Sequence, residues 1–142
     1  MKSYPQRIAL EKPKEAGEAM GQTAEVLVID DEVSVADALG IILRDHGYEV
    51  VTAKTGLEGL AICDGRRFDV TITDLRLPDM SGLEVLSRIK KRDPRSQVIV
   101  ITAYGTPEAI ADSMKLGAVD VLAKPFLPSD VLRLIDAALA RR

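Results

Sequence analysis

The sequence has little of what several protein classes require. It holds one cysteine, Cys63, and one histidine, His46, and no tryptophan among 142 residues. A single cysteine forms no internal disulfide, and no paired Cys or Cys/His spacing suggests a zinc site. No apolar run approaches the roughly 20 residues needed to span a bilayer. Residues 1–23 also lack the apolar middle of a signal peptide. These absences predict a cytoplasmic protein that does not insert into membranes. With 22 acidic against 19 basic residues the net charge is -3, which leaves no electrostatic footprint for direct nucleic-acid binding.

What remains is one domain's worth of chain. Residues 1–23 are rich in Lys, Glu, Pro and Gly with no sustained periodicity, and are expected to form a flexible N-terminal extension. From Ala24 onward short apolar, β-branched runs alternate with stretches at helical spacing. The runs are 25–29, 49–52, 70–73, 98–101 and 119–123. Val35, Ala38, Leu39, Ile42 and Leu43 form one face of a first helix, closed by His46-Gly47. Leu57, Leu60 and Ala61 mark a second, and Leu83, Leu86 and Ile89 a third. Ile110 and Met114 mark a fourth ending at Gly117, and Leu132, Ile135, Ala138 and Leu139 a fifth. Strict alternation, with strands apolar on both faces, predicts an α/β fold: a (βα)5 three-layer sandwich with a parallel sheet between helices.

In such sheets the functional site lies beyond the carboxyl ends of the strands. Asp30, Asp31 and Glu32 follow the first run, Asp74 the third, Thr102 the fourth and Lys124 the fifth. The second run ends in Thr52-Ala53-Lys54, as expected of an edge strand away from the site. An oxygen-only acidic set suits a hard ion, Mg²⁺ or Mn²⁺. A carboxylate beside such an ion and a lysine can attack phosphorus to give an aspartyl phosphate.

The chain resembles the response-regulator receiver domains of two-component signalling over residues 24–142, with motifs similar to receivers of the nitrogen-regulator type. The matching motifs are Val-Ile-Asp30-Asp31-Glu32, Thr-Asp74-Leu-Arg-Leu-Pro78-Asp-Met-Ser-Gly82, Val-Ile-Thr102-Ala103-Tyr104 and Ala-Lys124-Pro125-Phe126. The resemblance implies strand order 2-1-3-4-5 and a Mg²⁺-dependent phosphoacceptor, Asp74. It implies metal ligation by Asp31 directly, by Asp30 through water, by Asp74, and by the backbone carbonyl of Arg76. Thr102 takes the role of switch hydroxyl, Lys124 that of the cation pairing with acceptor and phosphoryl oxygens, and Lys124-Pro125 that of a cis bond. The implied partners are a sensor histidine kinase or histidine phosphotransfer protein, and an effector or second copy on the face of helix four, strand five and helix five. A chain of this kind acts on itself and is not an enzyme toward other substrates.

Taken singly, these residues have plain structural readings: helix-start acids, a turn aspartate, a strand threonine, a surface lysine. Their joint placement favours the functional one. Glu32 lacks that support and reads as a solvated or first-turn acid, His46 as a structural helix-end residue, and Cys63 as a small buried or half-buried apolar one. Arg76 and Tyr104, each two residues beyond a site residue, either decorate the surface or, as the resemblance implies, control water access. A phosphohydrolase would want a second carboxylate where Arg76 stands, and a nucleotide or flavin site a glycine-rich turn where Asp30-Asp31-Glu32 stands. One departure from the family is Val121, three residues before Lys124, where receivers commonly carry Tyr or Phe.

Overall fold

The computed structural model describes residues 23–142; apart from Thr23, the expected extension lies outside the described residues. Ten elements alternate without interruption: β1 (Glu25–Ile29), α1 (Val33–Asp45), β2 (Glu49–Ala53), α2 (Gly56–Gly65), β3 (Val70–Asp74), α3 (Gly82–Arg92), β4 (Gln97–Thr102), α4 (Pro107–Lys115), β5 (Asp120–Ala123) and α5 (Pro128–Arg141). The strands form one sheet in the order β2-β1-β3-β4-β5, and every pairing is parallel. This is the 2-1-3-4-5 sandwich expected from the sequence.

Alternate side chains of each strand enter different cores. Val26, Val28, Val70, Ile72, Ile99 and Ile101 pack with α1 and α5 on one face. Leu27, Ile29, Val98 and Val100 meet α2 and α3 on the other. β1, β3 and β4 are covered on both sides, and the near-continuous aliphatic runs of β1 and β4 are what a parallel sheet requires. Among the described residues no helix is long and apolar enough to cross a membrane.

Two helices sit differently from their predicted stripes. In α2, Leu57 is 61% exposed and Ala61 is also exposed, while Gly56, Gly59 and Leu60 face inward. The glycines permit close approach: a Cβ on Gly59 would collide with the Ile29 side chain, and one on Gly56 with Met80. In α4, Ile110 and Met114 are 40% and 42% exposed. That helix buries only Ser113, whose hydroxyl donates to the Ala109 carbonyl at 2.8 Å.

Candidate functional site

The rim at the carboxyl ends of β1, β3, β4 and β5 is aligned by backbone bonds that run past the strands. Asp30 N–H donates to Ala53 O at 3.0 Å, Leu75 N–H to Ile101 O at 2.8 Å and Lys124 N–H to Thr102 O at 2.9 Å. These bonds carry the sheet's register into the first loop residues, so side chains from four loops converge. The Lys124-Pro125 bond is cis, as the resemblance implied.

Lys124 is the centre of the arrangement. Its Nζ stands 2.6 Å from Glu32 Oε1, 2.9 Å from Asp30 Oδ2 and 3.0 Å from Asp74 Oδ2. Burial acts to lower the Lys124 pKa, but the contacts with Glu32, Asp30 and Asp74 outweigh it and hold the ammonium above the ordinary lysine value. Asp30 is fully buried. Its carboxyl is held above the usual carboxylate range, chiefly by desolvation and further by the charge of Asp74, against the opposing pull of the Glu32 amide and Lys124. Asp74, 6% exposed, receives the Arg76 amide on Oδ1 at 3.2 Å.

The donor set fits a divalent cation. Asp30, Asp31 and Asp74 each offer an oxygen, all within 4.8 Å of one another. Asp30 Oδ1 accepts the Glu32 amide at 2.9 Å. Asp30 Oδ2 is buried with no hydrogen-bond partner, since its approach to Lys124 is an ion pair by distance only. A buried carboxylate oxygen without an aligned hydrogen bond is costly even beside an ammonium, and a hard ion bound by oxygen ligands relieves it.

The mouth is shaped by the loop between β3 and α3. Arg76 and Ser81 form an isolated antiparallel bridge, and Gly82 N–H donates to Leu75 O at 2.7 Å. A side chain at Gly82 would strike the Asp74 carbonyl and stand 2.8 Å from Leu75 Cα, so only glycine lets α3 begin against the backbone at the end of β3. Arg76 then lies over the Tyr104 ring, 4.7 Å from its centroid. Thr102 Oγ1 accepts the Tyr104 amide at 2.9 Å. The structure thus brings together Asp30, Asp31, Asp74 and Lys124, sets Thr102 at the end of the adjacent strand, and stacks Arg76 on Tyr104.

Two residues carry more than the sequence suggested. Glu32 is solvent-exposed, as one of its two readings has it, and lies just before the first turn of α1 as the N-cap residue, with its side chain turned to Lys124 instead of capping. No local signal reveals a contact across 92 residues. Asp79 lies inside a quoted motif but had no assigned role. It accepts the Gly56 and Leu57 amides at 2.9 and 2.8 Å, and these bonds hold its carboxyl below the usual range. His46 is the C-cap of α1, with Nδ1 2.9 Å from Ile42 O, and Cys63 is half-buried with its thiol pushed up by burial. Both match their structural readings. Val121 packs at the edge of the second core cluster.

Known proteins are similar to this chain in sequence and in architecture. The response regulator receiver domain family matches residues 26–136. The transcriptional regulatory protein ZraR of Klebsiella oxytoca is 37% identical over 121 residues, covering 84% of this chain but 27% of its own length. The chain therefore spans about a quarter of that relative. Sporulation initiation phosphotransferase F of Bacillus subtilis (strain 168) is 36% identical over 102 residues, covering 72% of this chain and 82% of its own. A CheY-like receiver domain crystal structure from Methanospirillum hungatei JF-1 superposes with a TM-score of 0.81 at 34% identity, covering 84% of this chain and 95% of that one.

Proposed function

The chain belongs to the response regulator receiver domain family, and on that premise we propose that Asp74 accepts a phosphoryl group from a phosphohistidine on a sensor kinase or phosphotransfer protein. A carboxylate oxygen of Asp74 attacks phosphorus and the P–N bond breaks. Its electron pair returns to the imidazole, which takes up a proton. The observation that carries this reading is Lys124 Nζ held 3.0 Å from Asp74 Oδ2 and 2.9 Å from Asp30 Oδ2 in a largely buried rim.

Each residue has a physical task. The Arg76 amide and Lys124 orient the Asp74 carboxylate. Lys124 offsets charge on the transferring group, and its raised pKa keeps it cationic throughout the neutral range. Thr102 accepts a bond from the Tyr104 amide and keeps its own proton to donate to a phosphoryl oxygen. Asp31, Asp30, Asp74 and the Arg76 carbonyl are the groups that would hold Mg²⁺ or Mn²⁺, whose charge offsets that of the carboxylates and the phosphoryl oxygens. Arg76 and Tyr104, each two residues beyond a site residue and stacked on each other, act in this reading by limiting water access and so set how long the phosphoryl group survives.

The outcome is a switched interaction surface on α4, β5 and α5, for an effector or a second copy. The exposed Ile110, Met114 and Leu116 at α4 support that face. With Val121 in place of an aromatic ring, the movement of Thr102 reaches β5 weakly, because a β-branched side chain is stiff about its first torsion.

The deciding measurement is intact mass after incubation with a small phosphodonor and Mg²⁺. One phosphoryl adduct is expected, absent in Asp74→Ala and in excess chelator. An adduct of equal yield in Asp74→Ala, or formed fully with chelator, overturns the assignment.

A further inference from the structure

We propose that Glu32 is a positioning residue that holds Lys124 in the resting site and competes with the phosphoryl group for it. This rests on the reading of Asp74 as phosphoacceptor. An ammonium has three N–H donors, and three carboxylates surround the Lys124 Nζ, with Glu32 the nearest at 2.6 Å. Two of those donors go to Glu32 and Asp74, and Asp30 Oδ2 faces the ammonium without an aligned bond, so phosphoryl oxygens arriving on Asp74 draw the ammonium out of a position it already shares, at the expense of an existing contact.

The geometry says which contact yields. Asp30 is fully buried at the end of β1, with Oδ1 tied to the Glu32 amide, and Asp74 carries the phosphoryl group itself. The Glu32 side chain is 56% exposed and reaches Lys124 on a flexible stem. It also forgoes another role. At an N-cap a side chain normally accepts a free helix amide, yet Glu32 makes no such bond. Among the described residues its carboxylate is held by Lys124 alone, at the side of an open cleft of about 430 Å³ that Glu32 and Lys124 line together with Pro125 and Phe126.

Two variants separate this role from simple charge repulsion. Glu32→Gln removes the charge, whereas Glu32→Asp keeps it but is one methylene too short to reach Lys124. Beryllofluoride with Mg²⁺ serves as the phosphoryl probe, its affinity measured by NMR titration. Both variants are expected to bind it roughly threefold to tenfold more tightly, in keeping with the modest strength of a half-exposed ion pair. Both should also shift or broaden the Lys124 ammonium ¹⁵N signal in the resting protein, which a merely structural role would leave in place. If Glu32→Asp behaves as wild type while Glu32→Gln binds more tightly, repulsion alone is at work and the positioning role is wrong. Unchanged affinity in both variants, with wild type binding normally, overturns it as well. Failure of wild type to bind beryllofluoride instead overturns the phosphoacceptor reading, and with it any competition at Lys124.

Discussion

α1 and α4 lie on opposite faces of the same sheet, each beginning just beyond a site residue, yet they are held in different ways. α1 buries Ala36, Leu39, Gly40 and Leu43, and Leu39 and Leu43 have no solvent exposure. α4 buries Ser113 alone and leaves Ile110 and Met114 in solvent. Burial of a leucine contributes about 1.5–3 kcal/mol, so α1 is fastened to the core while α4 rests on a polar seat and its cap. Asp30 and Asp31 therefore lead into the well-anchored helix, and Thr102 leads into the helix with little buried apolar surface, which is the placement the proposed switch needs.

The largest effect that tests this contrast is Leu39→Ala. It should cost about 2–5 kcal/mol, read from urea denaturation. A loss below about 1 kcal/mol would show that α1 is not the anchored helix. A smaller effect of opposite sign is expected for Asp30→Asn. The folded state holds the Asp30 proton more tightly than the unfolded chain does. The native state therefore loses stability as pH rises above the unfolded carboxylate value toward the raised one, and above both values it carries that penalty in full. Removing the charge should raise the melting temperature in chelator at pH 7, and the gain should vanish near pH 3. A lower melting temperature at pH 7 would mean that Lys124 already compensates the charge.

Thr106 caps α4 by accepting the Ala109 amide at 3.1 Å. Thr106→Ala should cost about 1 kcal/mol, expressed mainly as faster amide hydrogen exchange within α4 while α1 is unchanged. Equal acceleration in both helices would erase the distinction. Smallest of all, Met114→Ala should change global stability by no more than about 0.5 kcal/mol. A cost above about 2 kcal/mol would mean that Met114 belongs to the core.

The strands and the rim were legible because both signals are local. An aliphatic run buried on two faces looks the same wherever it sits, and a residue closing such a run lies at the carboxyl edge by construction. The inward face of α2 was not legible, since hydrophobic periodicity cannot register Gly56 and Gly59. Those glycines face inward because Met80 and Ile29 occupy the space their side chains would fill. In α4 the periodicity of Ile110 and Met114 was real but pointed outward; an apolar stripe states that a face wants cover, not which surface supplies it.

By itself the sequence determined the alternation of elements, the parallel three-layer sandwich and the set Asp30, Asp31, Asp74, Thr102 and Lys124 on one rim. Each follows from residue type and order along the chain. The tertiary structure alone decided which carboxylates share Lys124, that Glu32 is one of them, that Asp79 caps a helix 22 residues away, and that Arg76 stacks on Tyr104. These are contacts at a few ångströms between distant parts of the chain. They depend on where loop backbones place flexible side chains, and no periodicity in a linear sequence encodes that.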